Sequence, residues 1–221
     1  MQRPPGRGPT AVLSMRGRGA PRSILRSGVD IKRWRASPPS VEALRPSRCP
    51  ACGAAGRPAG RPRGLHGHGS RERQFRGPAS PGAPPEIVVL RVRRYRCQPC
   101  GVVVTVAPRE AATGRLYTIT AVAWALALFG VSRLPEREVR RCTSPWRVVG
   151  ACATRRWVSL RRWITAVVGR RLFIRLRRPP GGCDARKAAA QIAIAVSAHA
   201  SPTVASLPLP ACAFLGAVHA A

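Results

Sequence analysis

The sequence predicts an α+β protein in which a small β-rich unit is followed by a bundle of short helices. Two C-x-x-C pairs, RCPACG at 48–53 and RCQPCG at 96–101, bracket segments rich in β-branched residues. From residue 115 onward, the chain contains segments whose apolar residues recur with helical spacing. A length of 221 residues and a hydrophobic content of 45% allow one medium-sized domain or two small ones to bury a core.

The N-terminal segment precedes any predicted element. Residues 1–28 are rich in proline, glycine and arginine with little periodicity, which predicts a disordered basic tail. This tail lacks the apolar core of a secretory signal, and no run in the chain reaches the roughly 18 to 20 apolar residues that span a bilayer. We therefore expect a cytoplasmic protein. Residues 29–48 form a lead-in segment, in which Trp34, Val41 and Leu44 predict a short helix after Pro39.

Residues 49–108 are predicted to form the β-rich unit. The segment EIVVLRVRRYRC alternates apolar and other positions, as a half-buried strand does. The segment VVVTV at 102–106 predicts another strand, which Pro108 ends. The first of these strands is expected to place Val88, Leu90 and Val92 on one face, and Val89, Arg91 and Arg93 on the other.

The four paired cysteines predict a metal site. Two intervening residues let both sulfurs of a pair reach one ion, and two pairs supply the four thiolates of a tetrahedral Zn²⁺ site. Gly53 and Gly101 follow the pairs directly and suit a tight turn that aims backbone N–H groups at sulfur. A β-hairpin within the 44 residues between the pairs would bring them together, as in a zinc ribbon. The predicted ligands are Cys49, Cys52, Cys97 and Cys100.

Other chemistry remains open at these cysteines. A thioredoxin-like redox pair needs one C-x-x-C to open a helix after a strand, whereas both pairs here precede glycine. An iron–sulfur cluster and a metal-free site are further alternatives. His66 and His68 are additional ligand candidates, but four cysteines suffice, and we expect both to be turn residues near the hairpin. The unpaired cysteines are expected to be small buried hydrophobes: Cys142, Cys152, Cys183 and Cys212.

Residues 109–184 are predicted to be a helical region. One helix is predicted from Thr118 to Phe129, with Gly130 placed to end it. The segment PEREVRR at 135–141 starts a second helix, with Pro135 in its first turn. A third, from Thr154 to Val168, is amphipathic at about 100° per residue. These helices fit either a helix-turn-helix or a plain three-helix bundle. The apolar side of the third helix comprises Trp157, Leu160, Trp163, Ile164, Val167 and Val168, and its polar side comprises Arg155, Ser159, Arg162 and Thr165.

The C-terminal residues 185–221 contain an alanine-rich helix, predicted at 185–200, and a weakly apolar tail. The pattern of the tail assigns it to no element.

The charge of the chain indicates a polyanionic partner. The sequence has 39 Lys and Arg residues against 8 Asp and Glu, which gives a net charge of +31. Nucleic acid is the first candidate partner for such a surface and an anionic membrane is the second. The third helix is expected to read the major groove of DNA, while the strand arginines meet phosphates. The candidate DNA contacts are Arg71, Arg73, Arg91, Arg93, Arg94, Arg96, Arg155, Ser159, Arg162 and Thr165.

The motifs RCPACG, HGHGSRERQFRGP and VVLRVRRYRCQPCG resemble the N-terminal zinc ribbon of one class of bacterial insertion-sequence transposases. They also resemble a group of short Cys-rich bacterial proteins built from the same parts. The resemblance covers residues 40–108 and extends to the helices only in style. It implies zinc held by the four paired cysteines, and binding of double-stranded DNA at transposon ends by ribbon and helices. A transposase or another mobile-element protein and a second copy of the chain are the further partners expected.

Catalysis is not expected from this sequence. Transposases of that class cut DNA with three carboxylates that hold two metal ions in a long catalytic domain. The eight acids lie in no pattern typical of such a domain, and no Gly-rich phosphate loop occurs. We therefore expect a DNA-binding module of the bacterial nucleoid. The alternatives are an RNA- or ribosome-associated zinc ribbon and a C-x-x-C redox protein.

Overall fold

The computed structural model describes residues 23–147, 149–150, 156–177, 179–180 and 182–221. Within these residues the protein has a mixed α+β fold with a four-stranded sheet and six α-helices. This confirms the predicted fold class at the level of its secondary-structure content. Most of the predicted disordered tail, together with Arg155 and Cys152, lies outside the described residues.

The sheet has the strand order β1-β4-β3-β2. Strand β1 pairs in parallel with β4, while the β4–β3 and β3–β2 pairs are antiparallel. The strands are β1 (Ser23–Arg26), β2 (Leu65–Pro78), β3 (Pro85–Cys97) and β4 (Val103–Ala107).

Strand β1 corrects the prediction that residues 1–28 are disordered throughout. Its residues Ile24 and Leu25 pack against the core of the sheet, and the edge of β4 supplies their backbone partners. Four residues are too few to show a periodicity of their own, so the sequence carried no signal for this strand.

The long hairpin formed by β2 and β3 shows the predicted alternation. Leu90 and Val92 are buried, whereas Val89 and Arg91 on the other face are exposed. The register of the hairpin shifts between Gly67 and Ser70. Two residues of β2, His68 and Gly69, lie opposite the single residue Arg94 of β3, and the φ of 74° at Gly69 is a conformation that glycine adopts without strain.

The lead-in segment forms its helix earlier than predicted. Helix α1 (Ile31–Ala36) precedes Pro39, and residues 41–44 form only a turn. The reason is local, because the Asp30 carboxylate accepts a hydrogen bond of 2.7 Å from the backbone N–H of Arg33 and caps the helix. The prolines at 38–39 then prevent its continuation. Trp34 is buried under the sheet, where its indole N–H donates to the carbonyl of Arg91.

Five further helices follow the sheet. Their bounds are α2 (Ile119–Gly130), α3 (Glu136–Thr143), α4 (Val158–Val168), α5 (Ala185–Ser197) and α6 (Leu209–Ala220). The predicted starts of α2 and α5 agree with side-chain caps, since Thr118 and Asp184 each accept a backbone N–H. Helix α4 begins at Val158, four residues later than predicted. The tail that carried no assignment forms a short 3-10 helix at Pro202–Val204 and then α6.

Helices α2, α5 and α6 pack together through small residues. Gly130 is the last residue of α2 rather than the terminator predicted for it, and its bare Cα faces the backbone of Ala190 in α5. Gly216 of α6 faces the carbonyl of Val196 in the same way. The predicted boundary at 184/185 therefore falls within one core, since buried residues of α2, α4, α5 and α6 belong to a single cluster.

The connections between helices bear on the predicted helix-turn-helix. Five residues, 131–135, join α2 to α3, and fourteen residues, 144–157, join α3 to α4. A helix-turn-helix uses a turn of about three to four residues. Residues 148 and 151–155, between α3 and α4, lie outside the described residues, so the helix-turn-helix stays a prediction. Within the described ranges, no helix has both the length and the apolar character needed to cross a membrane.

Candidate metal centre and arginine-lined groove

The two cysteine pairs meet at one end of the sheet. Cys49 and Cys52 lie in the loop that precedes β2. Cys97 is the last residue of β3, and Cys100 lies in the turn that leads to β4. The β2–β3 hairpin spans the chain between the pairs, as the spacing predicted, and it brings the two pairs together.

The four sulfur atoms form a compact cluster in which all lie within 4.8 Å of one another. Cys49 Sγ lies 3.7 Å from Cys100 Sγ, and Cys52 Sγ lies 3.6 Å from Cys97 Sγ. Zn–S bonds of about 2.3 Å in a tetrahedron place sulfurs about 3.8 Å apart, whereas a disulfide places them about 2 Å apart. The cluster therefore has the spacing of four separate ligands, and all four cysteines are free thiols.

The two cysteine turns have the same local geometry. In each, the glycine after the second cysteine donates its N–H to the carbonyl of the first: Gly53 to Cys49 and Gly101 to Cys97, both at 2.9 Å. The two glycines have φ values of 72° and 73°, which bear out the tight turn predicted at these positions. This conformation turns the backbone so that N–H groups approach the sulfurs. The backbone N–H of Cys52, for example, donates to the sulfur of Cys49.

The protein environment favours one thiolate but not four. Burial raises the pKa of Cys49, but the N–H groups of Cys52 and Ala51 and the neighbouring thiols lower it to about 7 overall. Burial raises the pKa of Cys97 to about 12. The N–H of Val102 lowers the pKa of Cys100, but burial and the adjacent sulfurs raise it overall. A divalent cation is the group that would stabilise four adjacent thiolates, so the donor set and its spacing fit a thiophilic metal such as zinc.

The candidate histidine ligands lie outside the cluster. His66 and His68 are exposed on β2, and His66 Nε2 lies 2.6 Å from the carbonyl of Arg63. The other described cysteines belong to the helical region, where Cys142 and Cys183 are half-buried and Cys212 is buried. The Cys212 thiol donates to the carbonyls of Val204 and Leu207.

The lead-in segment holds the first cysteine pair against the hairpin. The Tyr95 hydroxyl donates to the carbonyl of Val41 at 2.7 Å. The Arg45 guanidinium donates both to the carbonyl of Leu65 and to the carboxylate of Glu42. Glu42 also pairs with Arg57 and lies 3.6 Å from Arg63. One acid therefore organises three arginines beside the cysteine cluster.

The arginines of β2 are half-buried, and one of them contacts the loop that leads to α2. Arg73 Nη2 donates to the carbonyls of Ala112 and Arg115, at 2.8 and 2.7 Å, and its guanidinium lies over the ring of Phe75. Burial, and then the charge of Arg71, lower the pKa of Arg73. Arg71 is half-buried as well, and its Nε has no hydrogen-bond partner within the described structure. The structure thus gives Arg73 a joining role that sequence reasoning did not foresee.

The predicted contact residues of β3 lie along both faces of that strand. Arg91 and Arg96 are exposed, whereas Arg93 and Arg94 are half-buried. Arg93 Nη2 makes a long hydrogen bond of 3.4 Å to the carbonyl of Pro39. Arg91 and Arg96 are therefore the strand arginines most accessible to a phosphate.

The predicted polar side of α4 lines a groove. Leu160, Trp163, Ile164 and Val167 are buried, which confirms the predicted apolar side. Ser159, Arg162 and Thr165 line a groove of about 750 Å³ between α4 and residues 114–117, which we call the α4 groove. Five arginines from separate parts of the chain line it: Arg76, Arg115, Arg161, Arg162 and Arg171.

Acidic residues neutralise little of this groove. Arg161 pairs with Glu136 at 3.2 Å. Among the ion pairs formed by the described residues, none involves Arg76, Arg115, Arg162 or Arg171. Burial, and then the charge of Arg171, lower the pKa of Arg115. The groove thus holds like charges close together, an arrangement that a bound anion would stabilise.

The floor of the α4 groove is fixed by the sheet and by an aromatic cluster. The N–H of Arg76 donates to the carbonyl of Leu116, and the N–H of Thr118 donates to the carbonyl of Arg76, so β2 anchors this loop. The rings of Tyr117, Trp157 and Trp163 then meet edge to face, with centroids 5.0 to 6.1 Å apart. Sequence reasoning missed Arg115, because only the tertiary fold brings its loop to α4.

The acids of the chain mostly stabilise local structure. Asp30 and Asp184 cap helices, and Glu42, Glu136 and Glu138 form ion pairs. Glu110 accepts the N–H of Ile31, and burial raises its pKa above the usual range. Glu72 and Glu86 lie exposed on β2 and β3. The cysteine cluster is the one group of three or more potential ligand side chains that the described residues bring together.

Comparison of the chain with protein-family models, with curated proteins and with solved structures finds no match.

Proposed function

We propose that the protein is a zinc-stabilised protein that binds double-stranded DNA, like the DNA-end-binding part of a transposase. In this proposal, zinc in the cysteine cluster fixes the end of the hairpin sheet. The α4 groove binds the phosphate backbone, and exposed strand arginines such as Arg91 and Arg96 add phosphate contacts. The protein then acts in the nucleoid, alone or beside a mobile-element protein.

The α4 groove is the observation that carries the proposal. Four of its five arginines form no ion pair within the described structure, and the fifth shares Glu136. Guanidinium groups bind phosphate oxygens through paired N–H donors, and Ser159 and Thr165 supply neutral donors beside them. A net charge of +31 adds long-range attraction for a polyanion.

Equilibrium binding to labelled 20-bp duplexes, measured by fluorescence anisotropy at several salt concentrations, tests the proposal. Replacing Arg162 by Ala should weaken binding of every duplex by roughly 1–3 kcal/mol, because it removes a guanidinium that binds phosphate oxygens in the groove. Replacing the exposed Arg91 by Ala should weaken every duplex alike and lower the salt slope by about 1.

The control variant is Arg137→Ala, because Arg137 on α3 is 78% exposed and lies outside the groove. It removes the same charge as Arg162→Ala does. Equal losses for the two variants would show that only net charge matters and that the groove is not the site. Competition with structured RNA tests the alternative that the protein is an RNA-binding zinc ribbon, since such a protein would prefer RNA to duplex DNA of equal length.

A further inference from the structure

Trp146 is a large aromatic side chain that the protein leaves in contact with solvent. Its side chain is 53% exposed, whereas the two tryptophans of the aromatic cluster, Trp157 and Trp163, are buried. An exposed indole costs hydrophobic free energy in the isolated protein, so its position is informative when it lies beside a charged groove.

Two contacts connect Trp146 to the α4 groove. The guanidinium of Arg76, which lines the groove, lies 5.6 Å from the centroid of the Trp146 ring. The hydroxyl of Tyr117, which also lines the groove, donates to Ser144 Oγ at 2.9 Å. Ser144 Oγ in turn accepts the backbone N–H of Trp146 at 3.4 Å. The indole is therefore held next to Arg76, one of the arginines that line the groove.

The position of Arg76 is itself fixed. Its backbone pairs with Leu116 and Thr118, and its Nη2 donates to Gln74 Oε1 at 2.8 Å. A guanidinium held in this way over an indole gives an aromatic platform with adjacent positive charge. Single-stranded nucleic acid is bound by such a combination, because bases stack on the aromatic ring while cations hold the phosphates.

We propose that Trp146 and Arg76 form a stacking site for an unpaired base, so that the α4 groove binds nucleic acid with a single-stranded portion next to its duplex. This inference rests on the proposed nucleic-acid binding and adds the structure of the partner. Arg115, Arg162 and Arg171 hold the phosphates on either side of the unpaired nucleotide, and Trp146 receives its base. A duplex with a single-stranded extension should then bind more tightly than the same duplex with blunt ends.

The experiment compares three labelled DNAs with the full-length protein: a blunt 20-bp duplex, the same duplex with a five-nucleotide extension, and that extended duplex with abasic nucleotides in the extension. Trp146→Ala should weaken binding of the extended duplex about 5- to 100-fold and leave the blunt duplex nearly unchanged. Trp146→Phe, which keeps an aromatic ring, should retain most of the affinity. The abasic extension should bind wild type and Trp146→Ala equally.

The possible failures are distinguishable. Equal affinities of wild type and Trp146→Ala for the extended duplex, or equal losses on blunt and extended duplexes, would overturn the stacking site and leave DNA binding intact. A wild-type protein that binds none of the three DNAs would instead overturn the proposed function. Metal content and thermal unfolding of Trp146→Ala, matched to wild type, establish that any loss is local. If Trp146→Ala changes the oligomeric state, the indole is a protein contact and the proposal is wrong.

Discussion

The sheet and the helical bundle differ in what holds each of them together. Among the described residues, the hydrophobic core of the sheet has 12 buried members, two of which are cluster cysteines, while that of the helical region has 26. A small core gives little stability, so small domains usually depend on a metal or on disulfides. The sheet thus ends in a cysteine cluster that a metal ion could cross-link, whereas α2, α5 and α6 are held together by close packing of small residues.

This difference implies a division of labour. The sheet supplies two long strands that carry arginines. The helices supply a rigid apolar base on which α4 presents its polar side. The α4 groove lies where the two regions meet, since Arg76 of β2 and Arg162 of α4 both line it.

Removing Cys97, one of the four proposed zinc ligands, should produce the largest effect. Structural zinc contributes on the order of 10 kcal/mol of apparent folding free energy in small domains, so Cys97→Ser should lose bound zinc and unfold the sheet. Hydrogen exchange should then show a large loss of protection in β2, β3 and β4, and a smaller loss in the amides of α2. Cys212→Ser is the matched control, because Cys212 lies in α6, away from the cluster. It should keep zinc, and equal zinc loss in both variants would refute the assignment of the site.

The sequence predicted the cysteine cluster at the end of the sheet better than it predicted how the helices pack. The C-x-x-C spacing and the following glycines are local features, so they specify the cysteine turns without tertiary information. Local patterns also predicted two features of the helices, since caps and periodicity do not depend on the tertiary fold. These are the start of α2 at the Thr118 cap and the apolar side of α4. The position of α6 was not, because its residues LPACAFLGAVHA are apolar on all sides and show no helical face.

The α4 groove was only half predictable. Ser159, Arg162 and Thr165 share one side of an amphipathic helix, and angular spacing reveals that. Arg73 and Arg76 belong to a run that resembles any solvated basic strand. Their contacts with residues 112–118 depend on β2 lying at the edge of the sheet, beside the start of α2. No local pattern distinguishes a joining arginine from a DNA-binding one.

A methyl group added at Gly130 should produce the next largest effect, this time in the helices. Alanine has the higher helix propensity by about 1 kcal/mol, which alone would stabilise α2. A Cβ there would overlap the backbone of Ala190, which cannot rotate away, so we expect a net loss of about 3 kcal/mol. Urea denaturation measures the loss, and zinc content should not change. A more stable Gly130→Ala protein would show that α2 and α5 do not approach so closely.

Gly53 gives the comparison for Gly130. A Cβ at Gly53 meets no atom within 4 Å, but the φ of 72° is unfavourable for alanine. Gly53→Ala should therefore cost about 1–2 kcal/mol through backbone strain alone, and it should weaken zinc binding rather than helix packing.

Arg73 tests how far the two regions unfold as one. Arg73→Ala leaves the carbonyls of Ala112 and Arg115 without their charged donor, and we expect a loss of about 2 kcal/mol. The more specific measurement is the coupling between the two regions. When zinc is removed, the amides of α2 should lose less hydrogen-exchange protection in Arg73→Ala than in wild type. Arg91→Ala, on an exposed face of β3, should leave both readouts unchanged. Identical coupling in Arg73→Ala and wild type would assign the joining role to other contacts.

The smallest expected effect concerns pH and the lead-in segment. The hydrogen bond from Arg45, and then that from Arg57, lower the pKa of Glu42 to about 2, below an unfolded value of 4.5. A carboxylate with a lowered pKa stabilises the fold above the unfolded value, and that contribution is lost as the pH falls from about 4.5 to 2. The unfolding free energy of wild type should therefore fall more steeply than that of Glu42→Gln across this interval, with the two curves converging near pH 2.

Because Glu42 is exposed, 0.5 M NaCl should shrink the difference. Glu86→Gln, which replaces an exposed acid on β3, should follow the wild-type curve. Parallel curves for wild type and Glu42→Gln would mean that the ion pairs of Glu42 with its three arginines do not contribute to the unfolding free energy.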